Sequence, residues 1–218
     1  MDFPQRLIDG YTAFRAGRLP TEQSRFQELA EDGQKPETMI IGCCDSRVSP
    51  EVIFDASPGE LFVTRNVANL VPPYTPDGKQ RAVSAALEFA VQALRVKNIV
   101  VLGHARCGGI KAYAEQSQPL SPGDFIGNWM ALIEPAAREV GPPKNGETTE
   151  AFLRRLEQAA IKHTIGNLLT FPCVSILVER GKLALHGAYF GVATGKLWIL
   201  DPKSGEFRML EGDDKSPA

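Results

Sequence analysis

Two apolar runs, each ending abruptly in side chains able to bind a metal, constrain this chain more than any other feature. The first is Ile40 Ile41 Gly42 Cys43 Cys44 Asp45 Ser46 Arg47 Val48. The second begins 60 residues later and reads Val100 Val101 Leu102 Gly103 His104 Ala105 Arg106 Cys107 Gly108 Gly109. A continuous β-branched run is what a parallel strand buried on both faces requires, and open α/β sheets present their chemistry where such strands end. Two strands of this kind bring two half-sites to one end of a sheet.

The spacing limits what the half-sites can hold. Cys43 and Asp45 lie at i and i+2, so an extended backbone puts them on one face and turns Cys44 away. His104 and Cys107, three apart across the turn out of the second strand, can converge on one ion. Two thiolates and an imidazole suit zinc, with the fourth tetrahedral position left for a water or for Asp45, which is a catalytic ligand count. Arg47, again at i+2, can grip the Asp45 carboxylate in bidentate fashion and hold it ionised. Gly108 and Gly109 open a helix whose free N–H groups face the site, making Gly108 a candidate to hold an anionic oxygen. Close strand-to-helix packing accounts for the same two glycines.

Cys-x-Asp-x-Arg followed by His-x-x-Cys-Gly-Gly resembles the β-class carbonic anhydrases. The segments Pro58–Pro73 and Ser84–Val91 are also similar to that family, in particular its plant-like branch, and the likeness spans about residues 20–202. It implies a zinc enzyme that reversibly hydrates carbon dioxide to bicarbonate and a proton through a zinc-bound hydroxide. The metal ligands would be Cys43, His104 and Cys107, with Asp45 a ligand only in a closed state; in the family the Asp45–Arg47 pairing keeps the aspartate off the metal. The resemblance further implies a homodimer or larger homo-oligomer with the active site at the dimer interface and N-terminal arms embracing the partner. Gln34 would reach the substrate from the partner, and Phe62, Val67, Phe89 and Gly108 would shape the pocket. Phe89 stands where plant relatives carry a tyrosine, so that hydroxyl is missing.

One branch of the family closes its site at low pH and stores bicarbonate in a pocket built from tryptophan, arginine and tyrosine. Here the three positions hold Ile40, Arg65 and Phe190. Isoleucine and phenylalanine donate no hydrogen bond to an anion, so the open-site type is expected. Hydrolysis of carbonyl sulfide or carbon disulfide on the same zinc, a zinc-stabilised regulatory protein without turnover, and thiol chemistry on Cys107 and His104 are the rival readings.

The remaining periodicities predict an α/β fold: a mostly parallel central sheet of four strands, antiparallel edge strands, helices on both faces and an N-terminal helical arm. Strands are expected at Thr38–Cys44, Leu61–Arg65, Asn98–Gly103 and Cys173–Val178, with Leu183–Phe190 and Lys196–Leu200 as a closing hairpin. Helices are expected over 2–32, with Thr21 capping the second segment, and over Pro50–Phe54, Ala82–Val96, 124–140 and 147–169. The 218 residues make one expected domain: an arm (1–33) on the partner subunit, a catalytic core (34–202) and a C-terminal tail (203–218) that frays from Gly212. Cys44 and Cys173 read as packing residues, His163 as a solvated helix residue and His186 as structural.

With 24 basic and 26 acidic side chains the net charge is −2, which supplies no field toward nucleic acid or an anionic membrane. No apolar run approaches the roughly 20 residues that span a bilayer, and the first residues carry no leader pattern. A cytoplasmic location is expected, with no nucleic-acid or membrane partner, and in a reducing compartment the four cysteines favour metal over disulfides.

Overall fold

The computed structural model describes residues 3–115 and 125–210. The chain opens with α1 (Gln5–Ala16) and α2 (Arg18–Asp32), which pack together with Phe14 and Phe26 edge to face at 6.1 Å. Neither helix contains a buried residue, and Phe3, Leu7, Ile8 and Tyr11 stay exposed. α2 starts at Arg18 rather than near Thr21. Pro20 falls in its first turn, where a missing N–H is harmless, and Thr21 Oγ1 donates back to the Arg18 carbonyl instead of capping. The arm is tied to the core at Gly59, whose φ of +87° and lack of a Cβ let Leu29 sit directly over it.

After the arm come β1 (Thr38–Cys43), α3 (Pro50–Ile53), β2 (Leu61–Asn66), a short 3-10 turn at Val67–Asn69, and α4 (Ala82–Glu88), which runs on as a wider π-type turn over Phe89–Leu94. Then follow β3 (Asn98–His104), α5 (Gly108–Ala114), α6 (Ile126–Met130) and α7 (Glu134–Val140). The helix expected over 124–140 is broken in two because Pro135 lacks an N–H and fits only the first turn of a new helix. The chain ends with α8 (Thr149–Leu168), α9 (Pro172–Glu179), β4 (Ala184–Phe190), β5 (Leu197–Leu200) and β6 (Phe207–Met209).

The six strands form one sheet in the order β2-β1-β3-β4-β5-β6, the first four parallel and the last two antiparallel. That architecture agrees with the expected one, but the fourth parallel strand is Ala184–Phe190, not Cys173–Val178. The latter is α9: Pro172 occupies its first turn, and Val174, Leu177 and Val178 face the core at helical spacing. A short apolar run satisfies either period, and here the proline decides. The expected hairpin survives, Ala188 pairing with Ile199, but its first strand also pairs in parallel with β3. Residues 207–209, assigned to the tail, form the sheet edge. The expectation of a frayed end from Gly212 lies outside the described residues.

The core follows from strand alternation. Met39, Ile41, Ile99 and Val101 point to one face and pack under α4, α8 and α9, while Ile40 and Leu102 point to the other, meeting Ala188, Ile53 and Phe190. Among the described residues no single helix is long and apolar enough to cross a membrane.

Candidate metal centre

Because β1 and β3 are adjacent and parallel, their C-terminal ends coincide. Cys43 closes β1 and His104 closes β3. The chain then turns through Arg106, at a left-handed φ of +59°, to place Cys107 at the head of α5. The Cys43 and Cys107 sulfurs and a His104 ring nitrogen lie within 4.8 Å of one another, and all three residues are buried.

The surroundings prepare these atoms for a cation. His104 Nδ1 sits 3.0 Å from the Ala105 carbonyl, an acceptor, so Nδ1 carries the proton and Nε2 keeps its lone pair. Nε2 is buried and has no hydrogen-bond partner among the described residues. The Ala68 amide donates to Cys43 Sγ at 3.4 Å, presented by a turn in which Ala68 (φ +64°) and Asn69 (φ +49°) are both left-handed. Such strain in non-glycine residues is the mark of a positioned site. Hydrogen bonding from Cys107 pulls the Cys43 thiol down to about 4, while that shared proton and burial push Cys107 up. Burial disfavours a charged His104, but the Cys43 sulfur close beside the ring and the Ala105 carbonyl outweigh it and raise the imidazole's affinity for a proton. A soft, buried set of two sulfurs and one imidazole that attracts positive charge fits zinc.

Asp45 borders this group, its Oδ2 3.9 Å from His104 Nε2. Arg47 donates from Nε to Oδ1 at 2.8 Å and from Nη2 to Oδ2 at 2.6 Å, and these bonds hold the carboxyl well below the usual carboxylate range. The pairing does not come from continued strand alternation, since β1 stops at Cys43; the chain turns, and the Arg47 amide also binds Asp45 Oδ1 at 3.0 Å. Arg65 fixes the start of this loop, donating to the Cys43 carbonyl at 2.7 Å and the Asp45 carbonyl at 2.6 Å. Ile40 and Phe190 belong to one apolar cluster. Cys44, expected to pack, is exposed in the single chain, as the turn away from the buried Cys43 face requires.

The other pocket candidates divide in two. Val67 is at the centre: its Cγ1 lies where a Cβ on Gly109 would come within 2.8 Å, and its carbonyl accepts from Trp129 Nε1 at 2.8 Å. Gly109 therefore serves packing, whereas a Cβ on Gly108 would meet nothing within 4 Å. Gln34, Phe62 and Phe89 are not brought to the metal atoms of their own chain. Cys43 pairs with Asn66, whereas Phe62 pairs with Met39, four residues nearer the strand start and about 13 Å away along the strand. Phe89 stacks obliquely on Phe62 at 5.9 Å, and Gln34 is exposed ahead of β1. His186 bonds Asn98 at 3.1 Å at the far end of its strand, and His163 is half-buried on α8.

One residue with a bearing on the site, Glu157, carries no local motif in the sequence. Glu157 of α8, buried, accepts from the Cys107 amide at 2.9 Å and from the Tyr189 hydroxyl at 2.7 Å, and burial pushes its carboxyl up. The signal was present: an acidic residue in the apolar stripe Leu153, Leu156, Ala160, Ile161.

Comparison with known proteins agrees with this geometry. The carbonic anhydrase family profile matches residues 38–197. β-carbonic anhydrase 3 of Arabidopsis thaliana is 35% identical over 209 residues, covering 94% of this chain and 80% of that protein. The solved structure of the β-carbonic anhydrase CcaA superposes with a TM-score of 0.86 at 31% identity, covering 96% of this chain and 92% of that one. A structure of the tetrameric β-carbonic anhydrases of Sordaria macrospora gives a TM-score of 0.76 at 27% identity, over 90% of this chain and 95% of that one. A profile match across most of the chain, a relative of this identity and a buried Cys-His-Cys cluster at the strand ends lead to one conclusion: the chain belongs to the β-class carbonic anhydrases, a family of zinc enzymes.

Proposed function

We propose that this protein reversibly hydrates carbon dioxide to bicarbonate and a proton, with zinc held by Cys43, His104 and Cys107. The observation that carries the reading is the juxtaposition of that three-donor cluster with a carboxylate already locked in place, Asp45 under Arg47. Zinc bound there supplies the Lewis acidity that makes a water nucleophilic near neutral pH.

The chain's own residues supply the rest. Asp45 Oδ1 is taken up by the Arg47 amide and Nε, whereas Oδ2, among the described residues, accepts only Nη2 and borders His104. Oδ2 thus keeps a free lone pair on the site side, where it accepts a hydrogen bond from the attacking water and turns that water's own lone pair toward the substrate carbon. Its clamp keeps it an acceptor throughout and away from the metal. The Gly108 N–H at the head of α5, at a residue where even an added Cβ would meet nothing within 4 Å, suits the oxygen that gains charge as the carbon is attacked. Val67 supplies an apolar wall.

The reading includes a homo-oligomer whose site is completed across the interface. Gln34, Phe62 and Phe89 lie toward the opposite end of the strands from their own cluster, so they serve a site only as the partner subunit's Gln34, Phe62 and Phe89. The arm without a buried residue, exposing Phe3, Leu7, Ile8 and Tyr11, and the tetrameric state named for the Sordaria macrospora relatives support this. Metal analysis alongside an activity assay tests the proposal. One zinc per chain, with hydration lost on chelation and regained with zinc, is expected; activity that survives chelation, or turnover of carbonyl sulfide without carbon dioxide, would overturn it.

A further inference from the structure

We propose that Glu157 is a positioning residue for the metal centre: its carboxylate holds the Arg106–Cys107 peptide in the orientation that aims the Cys107 sulfur at zinc and seats Arg47 over Asp45. The inference rests on the zinc reading above and concerns a residue outside the ligand set.

Glu157 is only 3% exposed and sits in the apolar stripe of α8. A carboxylate is tolerated in such a place only when its oxygens find donors. Both do. Oε1 takes the Cys107 amide at 2.9 Å and Oε2 takes the Tyr189 hydroxyl at 2.7 Å. Tyr189 is itself fixed, 3% exposed and with its ring against Trp198 at 5.8 Å and Phe207 at 6.4 Å, so the grip is anchored in β4 and the sheet edge.

The other end of the same peptide unit is also held. The Arg106 carbonyl accepts from Arg47 Nη2 at 3.1 Å, and that nitrogen also binds Asp45 Oδ2. One peptide plane is therefore pinned through its amide by Glu157 and through its carbonyl by the arginine that clamps Asp45. The plane needs pinning, because Arg106 is left-handed at φ +59°, a conformation that a non-glycine residue leaves when released. Rotation of this peptide would swing Cys107 off its line to Cys43 and His104 and remove an acceptor from Arg47. Partners behind a metal ligand commonly set affinity in this way.

The test uses the full chain as Glu157→Ala, Glu157→Gln and Tyr189→Phe, with zinc affinity read by chelator competition and thiolate-to-metal charge transfer read after cobalt substitution. Glu157→Ala is expected to weaken zinc binding by about 10–100-fold and to alter the cobalt–thiolate absorption. Glu157→Gln keeps an acceptor for the Cys107 amide and is expected to restore both toward the parent; Tyr189→Phe falls between. Parental affinity and absorption in Glu157→Ala, even with a lowered melting temperature, would make Glu157 merely structural and overturn the proposal. Should that variant not fold, unchanged affinity and absorption in Tyr189→Phe would overturn it equally. A parent chain that binds no zinc would instead sink the zinc reading itself, so the two failures are distinguishable.

Discussion

Arg47 closes on Asp45 with both prongs of its guanidinium, Nε on Oδ1 at 2.8 Å and Nη2 on Oδ2 at 2.6 Å. The arginine side chain is 48% exposed, so the pair adds little to stability. Its value is geometric: it fixes a carboxylate at the border of the donor cluster and leaves one oxygen facing inward.

That arrangement separates ligands from helpers. Cys43→Ala, His104→Ala or Cys107→Ala should each lose stoichiometric zinc, because a three-donor site missing one donor cannot hold the ion tightly. Asp45→Asn should keep zinc and lose hydration rate by about 100-fold or more, the scale of a positioned proton-accepting group. Metal content and rate measured on the four purified variants decide the assignment; zinc retained in an alanine variant would remove that residue from the ligand set.

The pH profile follows with its sign. The folded value of Asp45 is depressed, so its favourable interaction is fully present above the ordinary aspartate value of about 3.9 and disappears only as pH falls toward the lower folded value. Asp45 therefore contributes no titration near neutrality. Two thiolates cancel the formal charge of the dication and acidify its water less than three neutral imidazoles do, so the midpoint for hydration is expected above pH 7, rising toward alkaline pH. Arg47→Gln should return Asp45 toward its ordinary value and add an acid limb. A parent rate already at plateau at pH 6.5 contradicts the charge argument.

Adjacent glycines give opposite expectations. Gly109→Ala puts a Cβ 2.8 Å from Val67 Cγ1 and 3.1 Å from Met130 Cε and should destabilise by about 1–3 kcal/mol. Gly108→Ala meets no neighbour within 4 Å, and at a helical position it should leave stability unchanged or raise it by up to about 1 kcal/mol while lowering the rate. Thermal unfolding and kinetics on the two variants separate packing from function.

The arm and the strand register predict that light scattering will find no monomer. Removing residues 1–33 should shift the mass toward one chain and cut the rate more than zinc content. A monomeric parent with full activity would show that the partner subunit's Gln34, Phe62 and Phe89 are not needed.

Much of the centre was legible because its parts are local in sequence. Cys43 and Asp45, then His104 and Cys107, stop apolar strands at fixed spacing, and the sheet needs only to set those strands side by side. What was not legible depends on long-range choices. Cys173–Val178 fits a strand or a helix equally until Pro172 and its packing select the helix, which hands the fourth parallel position to Ala184–Phe190. Glu157 reaches Cys107 across 50 residues, a link no local pattern encodes. Arg65 proved committed to the Cys43 and Asp45 carbonyls, and Ile40 and Phe190 pack as hydrocarbon in one apolar cluster. The lone arginine of the bicarbonate-storing position is thus already occupied, and hyperbolic rather than sigmoidal inhibition by bicarbonate is expected in steady-state rates.

Stopped-flow carbon dioxide hydration by the zinc-loaded parent chain, followed from about pH 6 to pH 9, bears most directly on the central claim. The account predicts rapid hydration that strengthens toward alkaline pH and collapses in Cys107→Ala. Hydration no faster than buffer alone, from protein carrying one zinc per chain, would contradict it.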